Sequence, residues 1–183
     1  MNLVKRIGLA VALAAVIAIV LGFNYVLPHH AVVYITGTEV KRMDHDGVVT
    51  AKNPANGPTR DIYFINAETP DHREPRVFRN DDTGFGFPWY FKFDAADQQA
   101  RAQGLARDDK QLAVVTYYGW RLQMFSAFPN AVSVRAADSA EPPFPWFNTI
   151  FLSLLAIAAI YLVLLGRQWR RQRRARKTAS TLP

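Results

Sequence analysis

The chain has 183 residues, 50% of them hydrophobic, and a formal net charge of +7 at pH 7. This length allows one modest domain besides membrane segments, and the mean hydropathy is too close to zero for a protein with many spans. The absence of cysteine excludes disulfide bonds, thiolate catalysis and cysteine-ligated zinc or iron–sulfur sites.

The positive charge is concentrated at the two ends of the chain. Residues 1–27 contain Lys5 and Arg6, residues 166–183 contain seven Lys/Arg, and neither segment contains an acid. Residues 28–149 carry 13 Lys/Arg and 15 Asp/Glu, a net charge of −2. Because the basic residues flank apolar segments and do not cover a folded face, the pattern indicates membrane topology, and no nucleic-acid partner is expected.

The first apolar segment covers residues 7–27, where Asn24 is the only strongly polar residue. A secretory signal peptide is the alternative, since it also starts basic and continues apolar. Its apolar part is usually ~7–15 residues and ends at a small-x-small cleavage site. The present segment is longer, and residues 24–28 offer no such site. It therefore predicts an uncleaved transmembrane anchor over residues 1–28.

Residues 29–145 are typical of one β-rich domain. Runs of β-branched and aromatic residues predict strands. The predicted strands are 31–35, 47–51, 60–66, 76–79, 89–93, 111–118 and 131–135. Asp94 is suited to cap a short helix that begins at residue 95, and residues 120–128 fit a brief amphipathic helix. The predicted fold class is α+β: a small, mainly antiparallel, barrel-like extracytoplasmic domain with one or two short helices, flanked by two transmembrane helices.

The densest chemical feature is residues 80–94, NDDTGFGFPWYFKFD. One interpretation is a ligand-binding loop, in which the glycines let a partner approach the backbone. The favoured interpretation is a tight turn whose Phe85 and Phe87 pack into the core, while Asp81 and Asp82 cap the turn. Phe87 is expected in the core, and Phe85 is expected to be the more exposed of the two. The candidate binding residues are Asn80, Asp81, Asp82, Phe85, Trp120 and Arg121.

Metal and catalytic motifs are weak. Two short groups, residues 44–46 (Asp-His-Asp) and 71–72 (Asp-His), contain possible ligands, but neighbouring residues of a strand point to opposite faces. Without a second spaced histidine pair, no metal site and no cofactor is expected. No nucleophile elbow, zinc-protease, P-loop or dinucleotide-binding motif is present, so the catalytic residues of any enzyme activity stay unknown.

Residues 146–166 form a second apolar segment, followed by the basic tail, residues 167–183. Between residues 150 and 165 only Ser153 is plainly polar. The basic residues of the tail are Arg167, Arg170, Arg171, Arg173, Arg174, Arg176 and Lys177. Because loops rich in Lys/Arg stay on the cytoplasmic side, both termini are predicted in the cytoplasm, the central domain outside it, and the tail on anionic lipid of the bilayer.

Several stretches resemble a bacterial membrane family known as domain of unknown function 1523. They are residues 35–43 (ITGTEVKRM), 59–66 (TRDIYFIN), 75–94 (PRVFRNDDTGFGFPWYFKFD), 117–134 (YYGWRLQMFSAFPNAVSV) and 145–148 (PWFN). The resemblance covers most of residues 1–166. It implies a membrane-anchored protein, and it assigns no catalytic residue.

The function predicted from these features is a non-catalytic, inner-membrane-anchored domain that faces the periplasm and binds a partner, such as another envelope protein. Two alternatives stay open. One is a hydrolase or transferase that acts on an envelope substrate. The other is a small subunit of an inner-membrane complex, for which Ala10, Ala14 and Ala18 would supply a stripe of small residues on the first helix.

Overall fold

The structure is a computed structural model that describes residues 3–44, 47–71, 73–108 and 111–179. It is an α+β protein with an apolar helix near each end, as predicted. The elements are α1 (Leu3–Val26), β1 (His29–Asp44), β2 (Gly47–Val48), β3 (Arg60–Glu68), β4 (Pro75–Arg79), α2 (Ala95–Leu105), β5 (Leu112–Tyr118), β6 (Asn130–Ala136) and α3 (Trp146–Ala179). The chain divides into two compact units, one ending at Phe144 and the other beginning at Pro145.

The strands form one mixed sheet in the order β2-β1-β3-β4-β6-β5. Its pairings are antiparallel except for β4 with β6, which meet in parallel at Arg79 and Asn130. The long strand β1 pairs with β5 from His29 to Tyr34 and mainly with β3 beyond that point. A bulge between Ile35 and Gly37 separates these two parts. Because a bulge bends its strand, β1 serves both edges of the curved sheet.

The core lies on the inner face of the sheet, under helix α2. Its buried members include Val33, Ile35, Ile65, Phe78, Val115 and Val134 from the strands and Ala102 from the helix. Two glutamine side chains of the helix also point inward and bond to backbone groups of the sheet. Gln98 Oε1 accepts from the Val134 backbone amide at 2.9 Å, and Gln99 Nε2 donates to the Phe64 carbonyl at 3.2 Å. These bonds satisfy polar groups that would be costly to bury unpaired.

Two predicted elements are wrong. Residues 89–93 form no strand, because Phe91 has a left-handed backbone with φ of 50° and the segment instead bonds back to its own loop. There the Gly84 amide donates to the Lys92 carbonyl at 3.0 Å, and the Lys92 amide donates to Thr83 Oγ1 at 3.1 Å. Residues 120–128 contain only a 3-10 turn, Gln123–Phe125, which ends at Ser126 with φ of 48°.

The two terminal helices differ from the other elements in having apolar side chains without cover. Leu3–Val26 and Trp146–Gln172 are each long and apolar enough to cross a membrane, by length and composition. None of the most apolar stretch of either helix is buried within the protein. Helix α3 continues without a break from the apolar segment into the basic tail, so residue 166 marks a change of composition and not the end of the helix.

Candidate functional site

The loop of residues 80–94 connects β4 to α2 and holds most of the candidate binding residues. Asn80, at its start, is fully buried. Its Nδ2 donates to the Ala95 carbonyl at 2.8 Å and to Gln99 Oε1 at 3.0 Å, while its Oδ1 accepts from Lys92 Nζ. Asn80 therefore joins the two ends of the loop through its side chain.

Lys92 is buried, with 4% of its surface exposed. Its Nζ donates to Asn80 Oδ1, to the Ala131 carbonyl at 2.8 Å and to the Asp81 carbonyl at 3.3 Å. Burial lowers the pKa of Lys92 to about 8, against the opposing pull of nearby carboxylates, chiefly that of Asp82. The sequence analysis did not single out Lys92. Its position between two phenylalanines was a signal, because alternating side chains there point to opposite sides of the segment.

The carboxylates of the loop all contact groups of the protein. Asp81 forms an ion pair with Arg79. Asp82 Oδ1 accepts from the Ala95 amide at 2.9 Å and so caps helix α2. The sequence assigned that role to Asp94, which stands at the cap position but makes no capping bond and accepts instead from Gln98 Nε2 at 2.8 Å. Asp82 takes the cap because the loop folds back over the start of the helix.

The aromatic side chains of the loop point outward. We call the exposed rings of this segment the aromatic loop: Phe85, Phe87, Trp89, Phe91 and Phe93. The favoured interpretation, in which Phe85 and Phe87 both pack into the core, is wrong, since 79% of Phe85 and 65% of Phe87 are exposed. Phe85 is the more exposed of the two, as predicted. The rings pack edge to face on one another, Phe85 on Phe93 at 5.1 Å and Phe87 on Trp89 at 5.3 Å between centroids. The printed contacts join Phe85, Phe91 and Phe93 in one group and Phe87 and Trp89 in another, and all five rings are exposed.

A second segment, residues 120–128, which we call the turn loop, also exposes apolar side chains, those of Leu122, Met124 and Phe125. The candidate residue Arg121 lies over the Phe128 ring at 3.9 Å from its centroid and donates to the Ala127 carbonyl at 2.9 Å. These contacts hold the exposed turn loop in one conformation.

Both loops are attached to the C-terminal end of helix α1. Trp120 Nε1 donates to Asn24 Oδ1 at 2.8 Å, and the Gly119 amide donates to the Tyr25 carbonyl at 2.8 Å. Tyr90 Oη donates to the Val26 carbonyl at 2.6 Å. Two of these bonds satisfy carbonyls that the end of a helix leaves without intrahelical donors. The two loops and the helix end thus form one connected structure.

Aromatic packing reinforces this attachment. The Tyr25 ring meets the Trp120 ring edge to face at 5.3 Å, and Tyr90 stacks on Tyr118 at 4.9 Å. Burial raises the pKa of both Tyr90 and Tyr118, so both phenols stay protonated at neutral pH.

A cavity of about 270 Å³ lies where the helix end and the two loops meet. Its walls are aromatic, and its polar floor includes the Arg79–Asp81 ion pair. Its described polar lining residues include Asp82, Thr83 and Asn130 beside that ion pair. Such walls and floor are suited to holding a small polar group.

Some residues of the predicted metal groups and of the basic tail lie outside the described part of the chain. In the described part of the chain, no group of three His, Asp or Glu side chains could hold a metal ion. His45, Asp46 and His72 lie outside the described residues. In the tail, Arg167, Arg170 and Arg171 are exposed on α3, whereas the side chains of Arg173, Arg174, Arg176 and Lys177 lie outside the described part.

Comparison with known proteins assigns the family. The model of the family described as "protein of unknown function (DUF1523)" matches residues 4–170. The chain belongs to this family. It is similar to an uncharacterized protein of Haemophilus influenzae, with 45% identity over 139 residues, which are 76% of this chain and 79% of that protein. No solved structure matches the chain. The resemblance noted in the sequence is thereby confirmed.

Proposed function

We propose that the chain is a two-pass inner-membrane protein whose central domain lies in the periplasm and binds a partner without catalysing a reaction. The observation that carries this proposal is the outward-facing aromatic loop. A folded domain gains stability by burying large rings, so five exposed rings within one loop favour a surface that another molecule covers.

Composition supports the membrane topology. The proposed segments are a transmembrane anchor over residues 1–28, the periplasmic domain over 29–145, a transmembrane segment over 146–166 and a basic cytoplasmic tail over 167–183. Residues 1–27 and 166–183 carry nine Lys/Arg and no acid, whereas residues 28–149 carry a net charge of −2, in agreement with the positive-inside pattern. Each Lys/Arg near anionic headgroups contributes ~1 kcal/mol, so the seven of the tail would hold it on the cytoplasmic leaflet.

The site itself favours binding over catalysis. The side chains of Asn80 and Lys92 form hydrogen bonds within the protein. Asp81 forms an ion pair with Arg79, and Asp82 accepts a hydrogen bond from the first residue of helix α2. Exposed Phe, Trp, Met and Arg are the side chains that binding surfaces favour. In the domain, the pairing of β1 with β5 supports a sheet that closes into a small barrel-like platform beneath the two loops.

The topology is tested with two reporter fusions in living cells. A reporter that is active only outside the cytoplasm should be active after Asp138 and silent after Leu182. A reporter that is active only in the cytoplasm should give the opposite pair of results. Activity of the first reporter at Leu182 and its silence at Asp138 would overturn the proposal, because the aromatic loop would then face the cytoplasm.

A further inference from the structure

We infer that the surface covered by the aromatic loop and the turn loop is the outer leaflet of the same membrane that helix α1 crosses, with the exposed rings in its headgroup region. The inference rests on the proposed function, since it requires α1 to be a membrane span. It names the partner as a lipid surface.

The position of the loops along α1 is the first argument. The segment between Arg6 and the end of the helix, residues 7–26, is 20 residues long and at ~1.5 Å per residue spans about 30 Å, the thickness of the hydrocarbon core. Asn24, Tyr25 and Val26 therefore lie at the outer boundary of that core. These are the residues to which the two loops are bonded. The exposed rings are thus held at the level where lipid headgroups begin.

The chemistry of the two loops is the second argument. Trp and other amphipathic aromatic side chains prefer the membrane interface, and apolar Phe, Leu and Met enter it beside them. Residues 84–93 and 119–137 contain no acidic residue, and Arg121 is an exposed cation on the same surface. The carboxylates that flank the aromatic loop are engaged by Arg79, the Ala95 amide and Gln98. The two loops thus expose apolar side chains and no acidic ones, which suits the headgroup region of a leaflet.

The rigidity of the arrangement is the third argument. Lys92 ties the aromatic loop to β6 through the Ala131 carbonyl, and Tyr90 ties the same loop to the helix. A surface fixed to the membrane helix on one side and to the sheet on the other has one orientation toward the bilayer. The far end of β1 would then point away from the membrane. The strand has 16 residues, so its contour length is about 50 Å.

The test uses the full chain in vesicles of phosphatidylethanolamine and phosphatidylglycerol whose acyl chains carry bromine near the headgroup. The reporting variant keeps Trp89 as the only tryptophan, through Trp120→Phe, Trp146→Phe and Trp169→Phe. One control keeps only Trp146, at the start of α3. The other replaces all four tryptophans by Phe and adds Ala51→Trp, an exposed position next to the distal end of the sheet.

We expect brominated lipid to quench Trp89 by a fraction similar to that for Trp146, and to leave the emission of the Ala51→Trp variant unchanged. Unquenched Trp89 beside quenched Trp146 would overturn the lipid inference and leave the membrane topology intact. Unquenched Trp146 would overturn the proposed membrane span, and the inference with it. Equal quenching of Trp89 and of the distal control would also overturn the inference, since the contact would not be specific to this surface.

A second measurement keeps all four tryptophans, and with them the Trp120–Asn24 bond that Trp120→Phe removes. Because the chain has no cysteine, Phe85→Cys introduces a single thiol for an environment-sensitive fluorophore. A blue-shifted emission in vesicles, relative to the same label on Ala51→Cys, would support insertion. A label at residue 85 with the emission of the distal control would overturn it.

Discussion

At the scale of single residues, Lys92 and its neighbours lie on opposite sides of one short segment, one side buried and the other exposed. Side chains alternate along residues 87–93, with Tyr90 and Lys92 inward and the rings of the aromatic loop outward. An inward ammonium is tolerated because its three donors meet three oxygens. Because the outward rings are exposed, replacing one by alanine should lower the free energy of unfolding much less than replacing a buried core residue.

This difference predicts the effects of two matched substitutions. Phe78→Ala should lower the free energy of unfolding by ~3–5 kcal/mol, because Phe78 is buried in the core and its loss leaves a cavity. Phe85→Ala should change it by only ~0.5 kcal/mol, as at other exposed positions. Chemical unfolding of the detergent-solubilised chain, followed by near-UV circular dichroism, measures both. A loss at Phe85 as large as that at Phe78 would show that its ring supports the fold.

At the scale of elements, the joint between α1 and the domain depends on the turn that follows β5. Gly119 has φ of 88° there and brings its amide to the Tyr25 carbonyl. Residues other than glycine rarely adopt this backbone conformation. The main chain, and not a side chain, therefore connects the sheet to the helix at this point.

Gly119→Ala should destabilise the domain by ~1–2 kcal/mol, because an L-residue is strained at this φ. A Cβ there would meet the Tyr25 ring at 3.6 Å and Pro129 Cα at 3.7 Å, which are ordinary contacts, so the strain lies in the backbone. Gly37→Ala is the matched control, since its backbone is not left-handed and a Cβ would meet nothing within 4 Å. Thermal unfolding of both variants compares them; equal melting temperatures would contradict the argument.

At the scale of the whole molecule, the N-terminal helix is a structural part of the domain. Leu27 is buried, and Tyr25 packs against both Tyr118 and Trp120. Removal of residues 1–27 would take away these contacts together with the acceptors for Gly119, Trp120 and Tyr90.

Residues 1–27 are therefore expected to remain attached to the mature protein. Mass spectrometry of the intact chain purified from membranes measures its N-terminus directly. A chain that began near Pro28 would contradict the anchor prediction. A chain deliberately started at His29 and directed outside the cytoplasm by a foreign signal peptide should melt at a lower temperature than the full chain, for loss of the same contacts.

Local composition predicted the helices and strands that depend mainly on interactions between residues close in the sequence. Apolar length predicted both terminal helices, and β-branched runs predicted β3, β4, β5 and β6 within a few residues. For the candidate site, the sequence located residues 80–94 and their alternation. It did not assign Asp82 to the cap of α2 or bring Trp120 to Asn24, because these contacts join residues far apart in the chain.

The tertiary structure alone decided which face of residues 87–93 is covered. Alternation places Trp89, Phe91 and Phe93 on one side and Lys92 on the other, whichever side faces the protein. Hydrophobicity favoured burial of the rings, yet Asn80 Oδ1 and the Ala131 carbonyl present oxygens to the inner side, and the Lys92 ammonium pairs with both. Burying a phenylalanine there would deprive these two oxygens of that donor, and Ala131 belongs to β6, which is distant in the sequence.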